Sequence, residues 1–435
     1  MSATQSSEPV KNPVESPVES SVENIVPLGR NRDFMLLWTG AGFTSLGAML
    51  TMTVYPLLVL WQTSSTVATG LIAAATSLPH LLVQVPAGAF VDRFDRRRLM
   101  IFSDIGCVVT AASVLVAVLA DAIWLPHLII AAFVQGSLSI FYELAERSAV
   151  RNLVHESQVP VALSRNEARM QGVNMLANPL GSLLFSLVRW TPFLLTVVMH
   201  LVSLVQLLFI RKSFQSGDAP PPRGRLYAEI REGVQWVWGQ PFLRAAMTLI
   251  SASNMIFMGM TLTLFAVIHD GGYSPAIVGL VVTAGGIGGV AGAMTATMWR
   301  QRVTMRTLVC GGLFVWAICI APLAVVTDPW PLAAVFALNG YVSGVFNVAG
   351  SVYTMQVTPD HLFGRVLSVM MTLGSGANFL GSLIAGAALS WWGVTNSVLG
   401  MTALMGLLVV AAVLNPSVRD VVNTPHGGRL PSGGA

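Results

Sequence analysis

Residues 88–98 read GAFVDRFDRRR, two aspartates and four arginines set between two long apolar runs, 67–90 and 99–120. In a soluble protein such a turn is ordinary. Between two segments long enough to cross a bilayer it acts as an orientation signal, because basic residues beside a span are retained on the cytoplasmic side.

Composition agrees with a membrane setting. Of 435 residues, 54% are apolar and only 10% charged, whereas a soluble domain carries about 25% charged residues. The net charge of +4 hints at acidic partners, but the loop positions of the basic residues explain it better. Cys107, Cys310 and Cys319 all fall inside apolar runs, which suits small buried residues and not a disulfide framework. No metal-ligand spacing or nucleophile motif occurs, so no cofactor, metal or nucleic-acid partner is expected.

Taken in order, residues 1–29 form a polar, acidic, proline-spaced segment without an apolar core, expected to be a disordered cytoplasmic tail. Twelve segments then reach the ~20 residues needed to span: 34–61, 67–91, 98–121, 124–146, 165–188, 192–210, 245–268, 276–299, 306–327, 331–354, 365–390 and 394–414. The fifth and eleventh are the weakest in hydropathy, interrupted by Asn174, Asn178 and Asn378. With this count, 23 of the 24 Lys and Arg residues lie on one side and only Arg189 opposite, which places both termini in the cytoplasm. The expected fold is all-α, with two six-helix bundles, 30–210 and 245–416, and a tail at 417–435. Between the bundles, 211–244 opens with a proline-rich stretch. Leu226, Ile230, Val234, Val237 and Trp238 then recur at helical spacing, with Glu229, Arg231, Glu232 and Gln235 opposite. That pattern suits an amphipathic helix on the inner membrane surface, or equally a linker helix packed on the bundle.

Gly88, Asp92, Arg93, Arg96 and Arg97 stand at the spacing of the loop 2–3 signature of the major facilitator superfamily, which the chain resembles. Gly88 would let the second span approach a neighbour, and the arginines would oppose a negative helix terminus. The resemblance implies that Asp92 docks near Gly364, Arg365 and Val366 at the start of the eleventh span and holds the inner face closed. A degraded second copy survives as Gly292 and Arg300, with Ala296 and Thr297 replacing the Asp-Arg pair. Residues 31–34, Asn166, 233–244 and 359–368 are similar to the bacterial drug:proton antiporter branch that includes macrolide-efflux proteins and the enterobactin exporter. One departure matters: many such antiporters carry an arginine three residues before a Gln-Gly pair in the fourth span, and this chain has Ala132 before Gln135-Gly136. Asn178-Pro179-Leu180-Gly181 loosely keeps their fifth-span motif, which would bend that span and pack it against the eighth.

Ionisable groups inside spans are costly and so informative. Asp104 is expected to form a cytoplasmic salt-bridge gate with Arg147, Arg151 or Arg169, or else to titrate with protons or to stand as a solvated carboxylate. Glu143, Glu146 and Arg147 read as interfacial. His80 and His200 are either hydrogen-bonded core residues or proton or substrate contacts. His269 and Asp270 stand at the outer end, as a gate or simply wet. Gln84, Gln135, Asn174, Asn178, Asn254, Asn339, Asn347 and Asn378 sit near mid-depth. Of these, Gln135, Asn174, Asn178, Asn339 and Asn378 are the substrate-cavity candidates, Asn378 best because Gly374, Gly376 and Gly381 open space around it. The AGGIGGVAGAM run of the eighth span offers small-residue ladders for close helix contact; with no lysine and no adjoining strand, it is not a nucleotide loop.

These readings predict a monomeric secondary transporter of a bacterial inner membrane, not an enzyme. It would export an amphipathic small molecule, a drug or natural product, driven by proton entry. Uptake or flipping of a lysophospholipid-like solute is the alternative transport reading, and a non-transporting membrane sensor or assembly partner the alternative of another class.

Overall fold

The computed structural model describes residues 26–91, 93–210, 212, 214 and 226–419. Most spans begin at a recognisable start signal. Helix α1 (Arg32–Thr63) is capped by Asn31, whose side chain accepts from the Phe34 N–H at 3.1 Å. Ser65 caps α2 (Thr66–Leu82) in the same way. Asp95, the second aspartate of the charged stretch, caps α4 (Arg96–Leu119) by accepting from the Arg98 N–H at 2.8 Å, a contact worth about 1 kcal/mol. Prolines at the first turn open α5 (Leu125–Leu153), α6 (Val159–Leu187) and α7 (Thr191–Phe209), positions where the missing N–H costs nothing.

After the linker helix α8 (Leu226–Gly239), α9 (Pro241–Asp270), α10 (Pro275–Arg302), α11 (Met305–Ile320), α12 (Pro329–Val357) and α13 (Asp360–Leu414) follow. Among the described residues, nine helical elements are long and apolar enough to cross a membrane. The 55-residue α13 is two crossings, broken at Gly393, where φ is 73° and ψ is 175°; glycine takes that conformation without a Cβ penalty. Trp391 and Trp392 immediately precede the break, 77% and 63% exposed. The second crossing is divided at Val83 into α2 and α3 (Gln84–Val91), just beyond Pro79, a residue that disturbs the helical ladder. Helix α6 makes up the twelve; Arg165, Glu167 and Arg169 lower its hydropathy. This is the all-α, twelve-crossing architecture that hydropathy predicts.

The glycine run of α10 contacts α12 and stays within one half of the chain. A Cβ on Gly288 would collide with the Ala337 carbonyl, and one on Gly340 with that of Gly285. Linker helix α8 packs on the bundle: Val237 is fully buried with Val234 and Trp236 against Leu243, Leu362 and Val366. Glu232 pairs with Arg365 near the start of α13.

Two arginines of the charged stretch bind within their own half. Arg96 donates to the carbonyls of Ser148 and Phe214, and Arg97 to those of Leu207 and Leu208. They therefore satisfy carbonyls near the ends of α5 and α7, where cations oppose the negative helix terminus, and not the end of the second crossing. Gly88 has no atom within 4 Å of where a Cβ would stand, so the expected close approach there is absent from this conformation. Asp92 lies outside the described residues.

Candidate functional site

The two halves touch at one end and separate at the other. Far from the arginine-rich loops, α2 lies directly on α13. A Cβ on Gly70 would stand 2.6 Å from the Ser382 carbonyl oxygen and 2.9 Å from Gly386 Cα, and Thr66 donates to the Gly386 carbonyl at 3.2 Å. Gly279 of α10 packs against Pro179 and Ser182 of α6, so the fifth and eighth spans meet as expected. Ser186 and Ser274 are 2.6 Å apart, and the Trp61 ring meets His269 edge-on with centroids 5.1 Å apart. His269 in turn pairs with Asp270 at 3.0 Å. These contacts seal the far end.

Toward the basic end the halves part around two chambers that share His80, Ser375 and Asn378. The outer chamber, about 450 Å³, has Glu143, Leu144 and Arg147 of α5 facing Met370 and Met371 of α13. The deeper chamber, about 440 Å³, is walled by Met52, Phe265, Leu262 and Val282, with Thr53, Asn178 and Thr261 as hydrogen-bonding groups. Methionine gives such a wall an adaptable surface, and a few fixed polar groups among apolar ones are the usual composition of a small-molecule site. Glu143 and Arg147 pair with each other at 2.6 Å. Among the described lining residues, that leaves His80 as the titratable group at depth.

The cavity candidates divide. Asn378 lines both chambers, and Asn178 lines the deeper one while accepting from the Thr53 hydroxyl at 2.6 Å. Gln135 does not: it is 2% exposed, accepts from the Tyr55 hydroxyl and donates to Thr51 Oγ1 at 3.0 Å, tying α5 to α1. Asn339 faces the interior of its own half, near Met260 Sδ. Asn174 is on an exposed face of α6 and lines neither chamber. Gln84 and Asn254 do line the outer chamber. Ser375, Thr53 and Thr261 escape sequence reading because hydroxyls are common throughout spans and carry little signal.

The charged groups are rearranged more deeply. Among the described residues Asp104 has no arginine partner; His200 Nδ1 and the Thr44 hydroxyl both lie 2.9 Å from its Oδ1, and Asp104 and His200 are fully buried. Arg169 serves Glu146 instead, at 3.2 Å, and also donates to the Trp38 carbonyl. Asn166 donates to Glu146 Oε1 at 2.8 Å. Glu146 is thus buried, 3% exposed, and not interfacial, because an ion pair with further hydrogen bonds can be held away from water. Arg147, expected opposite Asp104, turns to Glu143.

The profile of the transmembrane secretion effector family matches residues 23–425. The chain belongs to this family, within the major facilitator superfamily. It is 27% identical over 410 residues to the multidrug efflux pump Tap of Mycolicibacterium fortuitum, covering 89% of this chain and 95% of that one. Tap of Mycobacterium tuberculosis is 25% identical over 390 residues, 86% and 90% of the two chains. An uncharacterised transporter of the superfamily from Bacillus subtilis, YfiS, is 22% identical, with 91% and 96% covered. In fold the chain resembles a point mutant of the nucleoside transporter NupG, with TM-score 0.71, 10% identity, and 88% and 99% covered. A bacterial homolog of the human lysosomal transporter Spinster, solved inward-facing and unoccupied, gives TM-score 0.66 at 14% identity, with 89% and 97% covered. The protein is a multi-pass membrane transporter of small molecules.

Proposed function

We propose that this transporter exports amphipathic drugs or natural products by alternating access, driven by proton entry, with its basic end and both termini in the cytoplasm. The observation that carries this reading is the cavity between the halves: open at the basic end, sealed at the other, with methionine and phenylalanine walls around Asn178, His80 and Asn378. Such a site offers a large apolar area with few directional constraints, so it suits compounds of varied shape that carry some polar groups. Similarity to the Tap efflux pumps supports the direction of transport. Proton entry is an adequate drive, since each charge moved is worth ~2.3 kcal/mol per 100 mV.

Expression in a pump-deficient bacterium tests it. Dye accumulation should fall and drug tolerance rise for part of a broad panel, and dissipating the proton gradient should reverse both. Unchanged accumulation across the whole panel would remove the drug-export reading.

A further inference from the structure

We propose that Asp104 and His200 form the proton-carrying site of this transporter, and that the site acts on the substrate cavity from behind, through α1. This rests on the proton-driven reading above and names where the proton sits.

The pair has spare proton-binding capacity. Asp104 Oδ1 takes both available hydrogen bonds, from His200 Nδ1 and Thr44, while Asp104 Oδ2 and His200 Nε2 are buried with no partner. A neutral imidazole donating Nδ1–H to an ionised carboxylate leaves one uncompensated negative charge deep in the bundle, an expensive state. One further proton, on Nε2 or Oδ2, makes the pair neutral.

Among the described residues, the surroundings provide no other way to neutralise it. The elements packed around the pair contribute Thr44 and Gly47 from α1, Cys107 from α4, Tyr142 from α5 and Ser203 from α7, with Tyr142 and Ser203 bonded to each other at 3.0 Å. One turn beyond Tyr142 is Glu146, already matched by Arg169. None of these described groups is a free cation. An arginine partner would have made Asp104 a permanent salt bridge; a histidine makes its charge depend on a proton.

The coupling route is α1. Its rear face meets the pair: Thr44 bonds Asp104, and a Cβ on Gly47 would sit 3.3 Å from His200 Nε2. Its front face, about two and a half turns on, lines the deeper chamber with Met52, Thr53 and Pro56. When the pair loses its proton to water, the remaining charge demands solvation or a new donor, and α1, bonded to Asp104 through Thr44, is the element that links that demand to the deeper chamber. Substrate and proton then compete through one helix without sharing a pocket, so His80, which lines both chambers, is not needed as the carrier.

The test needs no substrate. Spin labels at Val161→Cys and Trp238→Cys, exposed positions on the two halves, report the opening of the basic end, with Cys310 and Cys319 replaced by Ser and buried Cys107 retained. Between pH 5 and 9 the ratio of the populations at the open and closed label distances should change up to tenfold per pH unit, as for one linked proton. Asp104→Asn and His200→Gln should each abolish the change, and Asp104→Glu should keep it. Because Asp104→Asn could fail to fold, each variant is checked by thermal unfolding, and His200→Gln stands as the independent probe. A wild-type protein without pH-dependent distances, or a folded Asp104→Asn or His200→Gln variant that keeps them, overturns the proposal. If drugs are exported but the distances ignore pH, the pair fails and the export reading stands. If the distances follow pH and Asp104 but no panel compound is exported, the reverse holds.

Discussion

The two ends of the contact between the halves are built from opposite materials. The far end is closed by backbone on backbone, Gly70 against Gly386 and Gly279 against Pro179, with hydroxyl contacts around them. At the open basic end three pairs among the described residues lie inside their own halves: Glu143 with Arg147, Glu146 with Arg169, Glu232 with Arg365. A seal made of close packing is specific and short-ranged. Pairs made inside one half do not by themselves hold the mouth shut. Opening one end therefore costs packing, whereas closing the other requires bringing charged surfaces together.

Four substitutions probe this contrast, from the largest expected effect down. Arg169→Met leaves Glu146 buried without its partner and should cost about 3–5 kcal/mol of stability, seen as a lower thermal midpoint, while the pH response of the mouth persists if the pair matters only within its half. Gly386→Val inserts a side chain where Gly70 Cα stands 2.9 Å away. Overpacking of about 1–3 kcal/mol should fall on the sealed conformation, so Ser186→Cys at the far end should gain reactivity toward a water-soluble thiol reagent. If labelling is unchanged, the glycine contact is not the seal. Asn378→Leu removes a hydrogen-bonding group from both chambers and should weaken binding of polar substrates by about 1 kcal/mol, roughly fivefold in Kd, with the thermal midpoint unmoved. Glu143→Gln breaks a largely exposed pair and should change stability by under about 1 kcal/mol; a larger loss would mean that the mouth depends on its own charges.

The crossings were legible because hydropathy and length are properties of a segment, and even the weak fifth and eleventh segments carry enough apolar residues on either side of their asparagines. The site was harder. Gln135 and Asn178 are the same kind of residue at similar depth, and only the rotation of α5 and α6 decides that one ties two helices and the other lines a chamber. Asp104 invited an arginine partner by charge, yet Arg169 went to Glu146 and a histidine on the sixth crossing took its place. Hydropathy assigns depth but is silent about azimuth, and partner choice inside a bundle is a question of azimuth. The glycine run of α10 illustrates the same limit: its close approach was readable, but its partner, α12, was not.

The break at Gly393 has a further consequence. It joins the last two crossings through a single turn and leaves Trp391 and Trp392 projecting beside it, and tryptophans of that kind settle in the headgroup layer. If α13 is the lever on which the two halves seal and part, its far corner is tethered to the lipid surface. The thickness of the host membrane would then set the pivot height, and turnover in vesicles should vary with acyl-chain length even where substrate affinity does not.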